Sequence, residues 1–98
     1  MAQLKVRFTP EAVAEADRAA DWYARRSLAA SEAFVREIDI AIQEVLTFPE
    51  AWPSYRKNCR RRVLSRFPFS IVYRIVGDVL EIVAVVHDKK RPGYWESR

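Results

Sequence analysis

The stretch FSIVYRIVGDVLEIVAVV, residues 69–86, constrains the fold more than any other part of the chain. Two runs rich in β-branched and aromatic side chains are separated only by Gly77-Asp78, a link short enough to force a tight antiparallel hairpin. Period-two alternation then sorts the side chains. Phe69, Ile71, Tyr73 and Ile75 fall on one face of the first strand, with Ser70, Val72, Arg74 and Val76 on the other. On the second strand Leu80, Ile82, Ala84 and Val86 alternate with Val79, Glu81, Val83 and Val85. One face can bury fully and the other is mixed, so a helical layer is expected on one side only.

The upstream sequence supplies that layer. Phe34, Ile38, Ala41, Ile42, Val45 and Leu46 form a helical stripe, with Arg36, Glu37, Asp39, Gln43 and Glu44 outside it. Before it, Thr9-Pro10-Glu11 reads as a helix start: a capping hydroxyl, a proline at the first helical position and an acid at the positive dipole end. Val13, Ala16, Ala20 and Tyr23 then recur at helical spacing, with Glu15 placed elsewhere on the wheel. Arg25-Arg26-Ser27 is a short break, with Ser27 or Ser31 available as the next cap, and so short a link predicts an antiparallel helix hairpin. Leu4, Val6 and Phe8 alternate with Lys5 and Arg7 as an opening strand. RRRVLSRF adds another strand before the hairpin, after a proline-interrupted loop, FPEAWPSY, that Phe48, Trp52 and Tyr55 are expected to pin to the body. The result is a single α+β domain over residues 1–98, ordered β-α-α-β-β-β, with the helical hairpin on one face of an antiparallel-rich sheet.

Composition narrows the chemistry. There is no apolar run of membrane-spanning length and the start lacks a signal-peptide core, so a cytoplasmic protein without a membrane partner is expected. The single cysteine, Cys59, reads as an ordinary reduced thiol. No phosphate-binding loop, metal-ligand pair or serine elbow is present, so no cofactor and no metal is expected. Charge is unevenly distributed: residues 1–50 carry six basic against nine acidic side chains, residues 51–98 eleven against four. The second half therefore favours an anionic partner, either nucleic acid or an acidic protein segment.

Two constellations carry that positive charge. In RKNCRRRVLSR, residues 56–66, Arg60, Arg62 and Arg66 would project to the same side of one strand, spaced roughly 7 to 14 Å apart. That spacing suits successive phosphates or clamped carboxylates, and equally a charged edge that resists aggregation. The second is HDKKRPGYWESR, residues 87–98. His87 is a candidate acid or base, as is Tyr94 if neighbouring cations lower its pKa. Pro92-Gly93 is a turn that could fold Tyr94 and Trp95 back onto the sheet, placing Lys89, Lys90 and Arg91 near the strand arginines. An enzyme built on these residues would cleave RNA through its 2′-hydroxyl, with cations stabilising the transition state.

EADRAADWYARRS, the helix ending in FP, RRRVLSRFPFSIVYRI and VAVVHDKKRPGYW together resemble the RelE/ParE superfamily of bacterial type II toxins across nearly the whole chain. The most specific parts are Arg66-Phe67-Pro68-Phe69-x-Ile71-x-Tyr73 and His87-x-x-x-Arg91-Pro92-x-Tyr94-Trp95. The resemblance implies a toxin held in a hetero-oligomer by a cognate antitoxin, with growth arrest when released. RelE-like members cleave messenger RNA on the ribosome, whereas ParE-like members poison DNA gyrase without enzymatic activity. Carried across, the nuclease pattern employs Lys57, Arg60 or Arg62, His87, Lys90 or Arg91, and Tyr94 as catalytic groups. It also expects an arginine after the aromatic that opens the third strand. That position is Ser70 here, a loss worth roughly 2 to 4 kcal/mol of transition-state stabilisation by analogy with oxyanion donors. The FPF-x-I-x-Y wording is also ParE-like. The favoured expectation is a gyrase poison of the kind linked to plasmid stabilisation; the alternatives are a ribosome-dependent endoribonuclease and a non-toxic antitoxin-binding member. Arg60, Arg62, Arg66, Lys89, Lys90, Arg91 and Trp95 are the expected target- or antitoxin-binding residues.

Overall fold

The computed structural model describes residues 4–90, 93–96 and 98. Its elements run β1 (Lys5–Phe8), α1 (Pro10–Ala24), α2 (Leu28–Thr47), a short 3-10 turn (Arg56–Asn58), β2 (Arg60–Val63), β3 (Phe69–Val76) and β4 (Val79–His87). The sheet order is β1-β4-β3-β2, with β1 parallel to β4 and the other pairs antiparallel. This is the expected α+β order. β4, the last strand in the chain, lies inside the sheet and is buried from Leu80 to Val86.

Local sequence sets the helix ends as anticipated. Thr9 accepts from Ala12 N–H and Ser27 from Ala30 N–H, each capping a helix start. Ser31 instead donates to Ala20 C=O at 2.8 Å, stitching the two helices together. The α2 stripe is buried from Phe34 to Val45 with Leu46 partly covered, but Glu37, assigned outside it, is buried as well. On α1 the buried positions are Ala12, Glu15 and Ala19, with Ala16, Ala20 and Tyr23 partly buried. The sequence stripe was therefore rotated by part of a turn: Val13 faces solvent, and the acid assigned to the outside is inside.

The β3–β4 hairpin turns through Gly77, at φ 61°, as its two-residue link requires. Its alternation fails at one place. Val72 pairs with Ala84 but Tyr73 pairs with Ile82, leaving Val83 as an extra residue on β4. Such a bulge reverses the side-chain parity beyond it. Leu80 and Ile82 reach the helix-side core, as expected, but so does Val85, while Ala84 and Val86 turn to the opposite face. Ile75, assigned to the buried face, lies beyond the helices' cover and is exposed.

That opposite face has a core of its own. Cys59, Val72, Val83, Ala84, Val86 and Trp95 are buried together, flanked by Tyr55 and Tyr94. Tyr55 stacks on Trp95 with ring centres 5.3 Å apart. Of the expected Pro92-Gly93 turn, Pro92 lies outside the described residues; Gly93 has a left-handed φ of 80°, and a Cβ there would collide with the Glu96 side chain. Burial pushes the Cys59 thiol pKa up, in keeping with an unreactive packed sulfur. Of the aromatics expected to pin the proline loop, Trp52 and Tyr55 do so and Phe48 points to solvent.

Candidate functional site

The expected row of arginines does not form. β2 ends at Val63, so Arg66 lies beyond the strand; its backbone N–H donates to Glu37 and its guanidinium sits 3.5 Å from the same carboxylate. Arg62 is 8% exposed. It pairs with Glu44 near the end of α2, donates to the Val63 carbonyl and lies over the Trp52 ring. Arg60 donates to the carbonyls of Trp52 and Glu50, at 2.7 and 3.4 Å. Both strand arginines face the helices, because Arg60 and Arg62 pair with Tyr73 and Ile71, whose side chains belong to the helix-side core. They fasten the proline loop and α2 to the sheet edge.

Arg61, the intervening residue, occupies the other face. Its Nε donates to Ser70 Oγ at 3.0 Å, Ser70 Oγ donates to Asp88 at 2.7 Å, and Arg61 closes the triangle on Asp88 at 3.0 Å. Ser70 is wholly buried. The position where the nuclease pattern expects a cation therefore holds a neutral bridge, and the nearest guanidinium is already paired.

The tail residues are tied down in a comparable way. Glu15 accepts from Val85 N–H at 3.1 Å, from both terminal nitrogens of Arg98 at 3.0 and 3.1 Å, and from the Tyr94 hydroxyl. Burial alone would raise the Glu15 pKa, but the hydrogen bonds from Arg98, Tyr94 and Val85 outweigh it and hold the carboxyl below its ordinary range. For Tyr94, burial and then the adjacent Glu15 raise the phenol pKa, the reverse of the lowering that acid–base work would require. His87 Nδ1 accepts from Lys89 N–H at 3.1 Å and its ring meets Phe69 edge to face. Trp95, expected at a partner surface, is 2% exposed and serves as core. Lys89 and Lys90 are exposed, and Arg91 lies outside the described residues.

Glu15 was not anticipated, yet it organises this end of the molecule. The reason is the length of β1. It pairs only with Val79–Ile82, so among the described residues the outer edge of β4 has no neighbouring strand from Val83 onward. Side chains take over: Thr9 Oγ1 and Arg98 donate to Val83 C=O, and Glu15 accepts from Val85 N–H. The Ala12–Glu15–Ala19 spacing was the one available signal, since two alanines flanking an acid at helical intervals mark a close-packed face.

Among the described residues there is no group of three or more His, Cys, Asp or Glu side chains arranged to hold a metal. No helix among them is long and apolar enough to cross a membrane.

Comparison with known proteins agrees with this architecture. A search of curated proteins gives no significant match. Among solved structures, a chain described as "Chromosomal ParDE TA system from P. aeruginosa" superimposes with a TM-score of 0.63 at 22% identity, covering 87% of this chain and 96% of the other. At that identity the likeness establishes the fold. The sequence profile described as "ParE toxin of type II toxin-antitoxin system, parDE" matches residues 6–92, nearly the whole domain. The chain therefore belongs to the ParE toxin family of type II toxin–antitoxin systems.

Proposed function

We propose that this toxin acts in the cytoplasm by binding DNA gyrase and arresting growth, without catalysing a reaction of its own, and that a cognate antitoxin neutralises it in a hetero-oligomer. The observation that carries the reading is the Arg61–Ser70–Asp88 triangle. A nuclease of this fold would need an unpaired cation facing the scissile phosphate there, and this chain supplies a buried hydroxyl and an internal ion pair. Tyr94, with its proton held toward Glu15, supports the same conclusion. Arg66, Lys89 and Lys90 remain exposed and suit an acidic partner surface.

The test is induction of the chain in a bacterium lacking the antitoxin, with DNA and protein synthesis followed separately by pulse labelling. Early failure of DNA synthesis with filamentation is expected. Cessation of protein synthesis within minutes, with DNA synthesis continuing, would overturn the reading in favour of ribosome-dependent RNA cleavage. Tyr94→Phe combined with Arg91→Ala should leave growth arrest intact. Failure of the unaltered chain to arrest growth would indicate a member that only binds antitoxin.

A further inference from the structure

The loop between β2 and β3 is short and fastened along its length. Leu64 is buried and its N–H donates to Phe69 C=O at 2.9 Å, while Phe69 N–H donates to Phe67 C=O and Asp88 N–H to Pro68 C=O, both at 2.8 Å. The Phe67 ring meets Tyr23 and Phe34 edge to face. Between these anchors Arg66 N–H donates to Glu37 Oε1 at 2.9 Å, which ties the loop to α2. The backbone that carries Arg66 is therefore held on both sides, and its side chain, 73% exposed, stands out from a rigid mount.

Glu37 is costly in this place. The residue is buried, and its Oε2, shielded from water, makes no hydrogen bond among the described residues. The Arg66 Nε lies 3.5 Å away, a long approach to an exposed guanidinium whose attraction solvent weakens. A carboxylate buried with incomplete hydrogen bonding lowers stability, whereas a glutamine would keep the bond to Arg66 N–H without the charge. What the charge adds is orientation, because it draws the Nε edge of Arg66 toward α2. The terminal nitrogens of Arg66 make no hydrogen bond among the described residues, so the fork that grips a carboxylate bidentately is left for another acceptor.

We propose that Glu37 is a positioning residue: its carboxylate pre-orients Arg66 so that the guanidinium receives a carboxylate of the toxin's protein target. The inference rests on the reading of the chain as a gyrase-binding toxin and names one contact in that binding. A protein carboxylate is favoured over a nucleic-acid backbone because Arg66 stands alone. Phosphate chains are bound by several cations side by side, and the neighbouring Arg61 and Arg62 are committed to Asp88 and Glu44. Holding a long side chain before contact removes an ordering cost that binding would otherwise meet, and that gain offsets in function what the buried charge loses in stability.

The experiment compares the full chain with Glu37→Gln, Arg66→Ala and the double variant. Each is measured by thermal unfolding, by the concentration that half-inhibits DNA supercoiling by purified gyrase, and by affinity for gyrase without DNA. Glu37→Gln is expected to melt at or above the wild-type temperature yet to inhibit and bind about threefold to tenfold more weakly, the range that ordering one long side chain represents. Arg66→Ala should weaken both by about tenfold, and adding Glu37→Gln to it should change neither further. Full potency of Glu37→Gln, further loss in the double variant, or a loss matched by a lower melting temperature would each overturn the proposal. A loss confined to the assay with DNA would overturn it in favour of a contact to a phosphate. A wild-type chain that leaves gyrase untouched would refute the gyrase reading alone. The four proteins would then be ranked by the expression level that arrests growth, where the same non-additive pattern is expected and an additive one would overturn the role of Glu37.

Discussion

Tyr94 gives its phenolic hydrogen to Glu15, 79 positions earlier in the chain, and so fastens the tail to the first helix. The same carboxylate holds Arg98 and the free N–H of Val85. One buried acid therefore joins helix, central strand and tail, and its ionisation state should govern how well they stay together.

For Glu15 the pH dependence has a defined sign. Its pKa in the folded protein is below the usual 4.5, so the unfolded chain takes up the proton first as the medium acidifies. The stabilisation is present in full above the usual value and is lost as pH falls through the lowered one. Urea unfolding should show the wild type losing stability below pH of about 4.5, while Glu15→Gln starts about 3 kcal/mol lower at neutral pH and loses less on acidification. Parallel pH profiles for the two proteins would contradict the assignment.

Arg62 and Arg60 are neighbours on β2 with different burdens. Arg62→Ala strands Glu44 and removes packing against Trp52, a loss of about 2 kcal/mol, discounted because Glu44 is half exposed. Arg60→Ala forfeits bonds to loop carbonyls at a cost of about 1 kcal/mol. Thermal melts should rank them in that order. A stable Arg62→Ala protein that no longer arrests growth would place Arg62 in a binding surface instead.

At Ser70 the prediction contrasts a small change with a large one. Ser70→Ala removes the bridge but leaves Arg61 and Asp88 paired, so a loss of about 1 kcal/mol and unchanged toxicity are expected. Ser70→Arg forces a long cation into a site with no exposed surface, and should lower the yield of folded protein without creating ribonuclease activity. Cleavage of messenger RNA by a folded Ser70→Arg protein would mean that the remaining machinery is competent.

Much of the fold could be read from local patterns because local physics determines them. The caps at Thr9 and Ser27, the α2 stripe and the Gly77-Asp78 hairpin each lie within a few residues of their cause. What escaped depends on partners far along the chain. The Val83 bulge leaves no mark in a run of β-branched residues that would alternate equally well in either register. Glu15 reads as a surface acid until Arg98 and the unpaired end of β4 are placed beside it. The arginines of residues 56–66 form a row of charges in sequence, but Glu37 and Glu44 from α2, and Asp88 just past β4, pair off Arg66, Arg62 and Arg61 one by one.

The interior position of β4 sets a schedule on the ribosome. Until residues 79–98 have been made, α1 lacks the strand it packs on, β1 lacks β4, the strand it pairs with, and Glu15 lacks Val85 and Arg98. A nascent chain can form helical turns early, but the sheet waits for its final strand, because long-range pairings cannot close before both members exist. Translation products that stop short of β4 would therefore be unfolded and harmless, and toxicity would require that strand and the contacts of Tyr94 and Arg98 behind it.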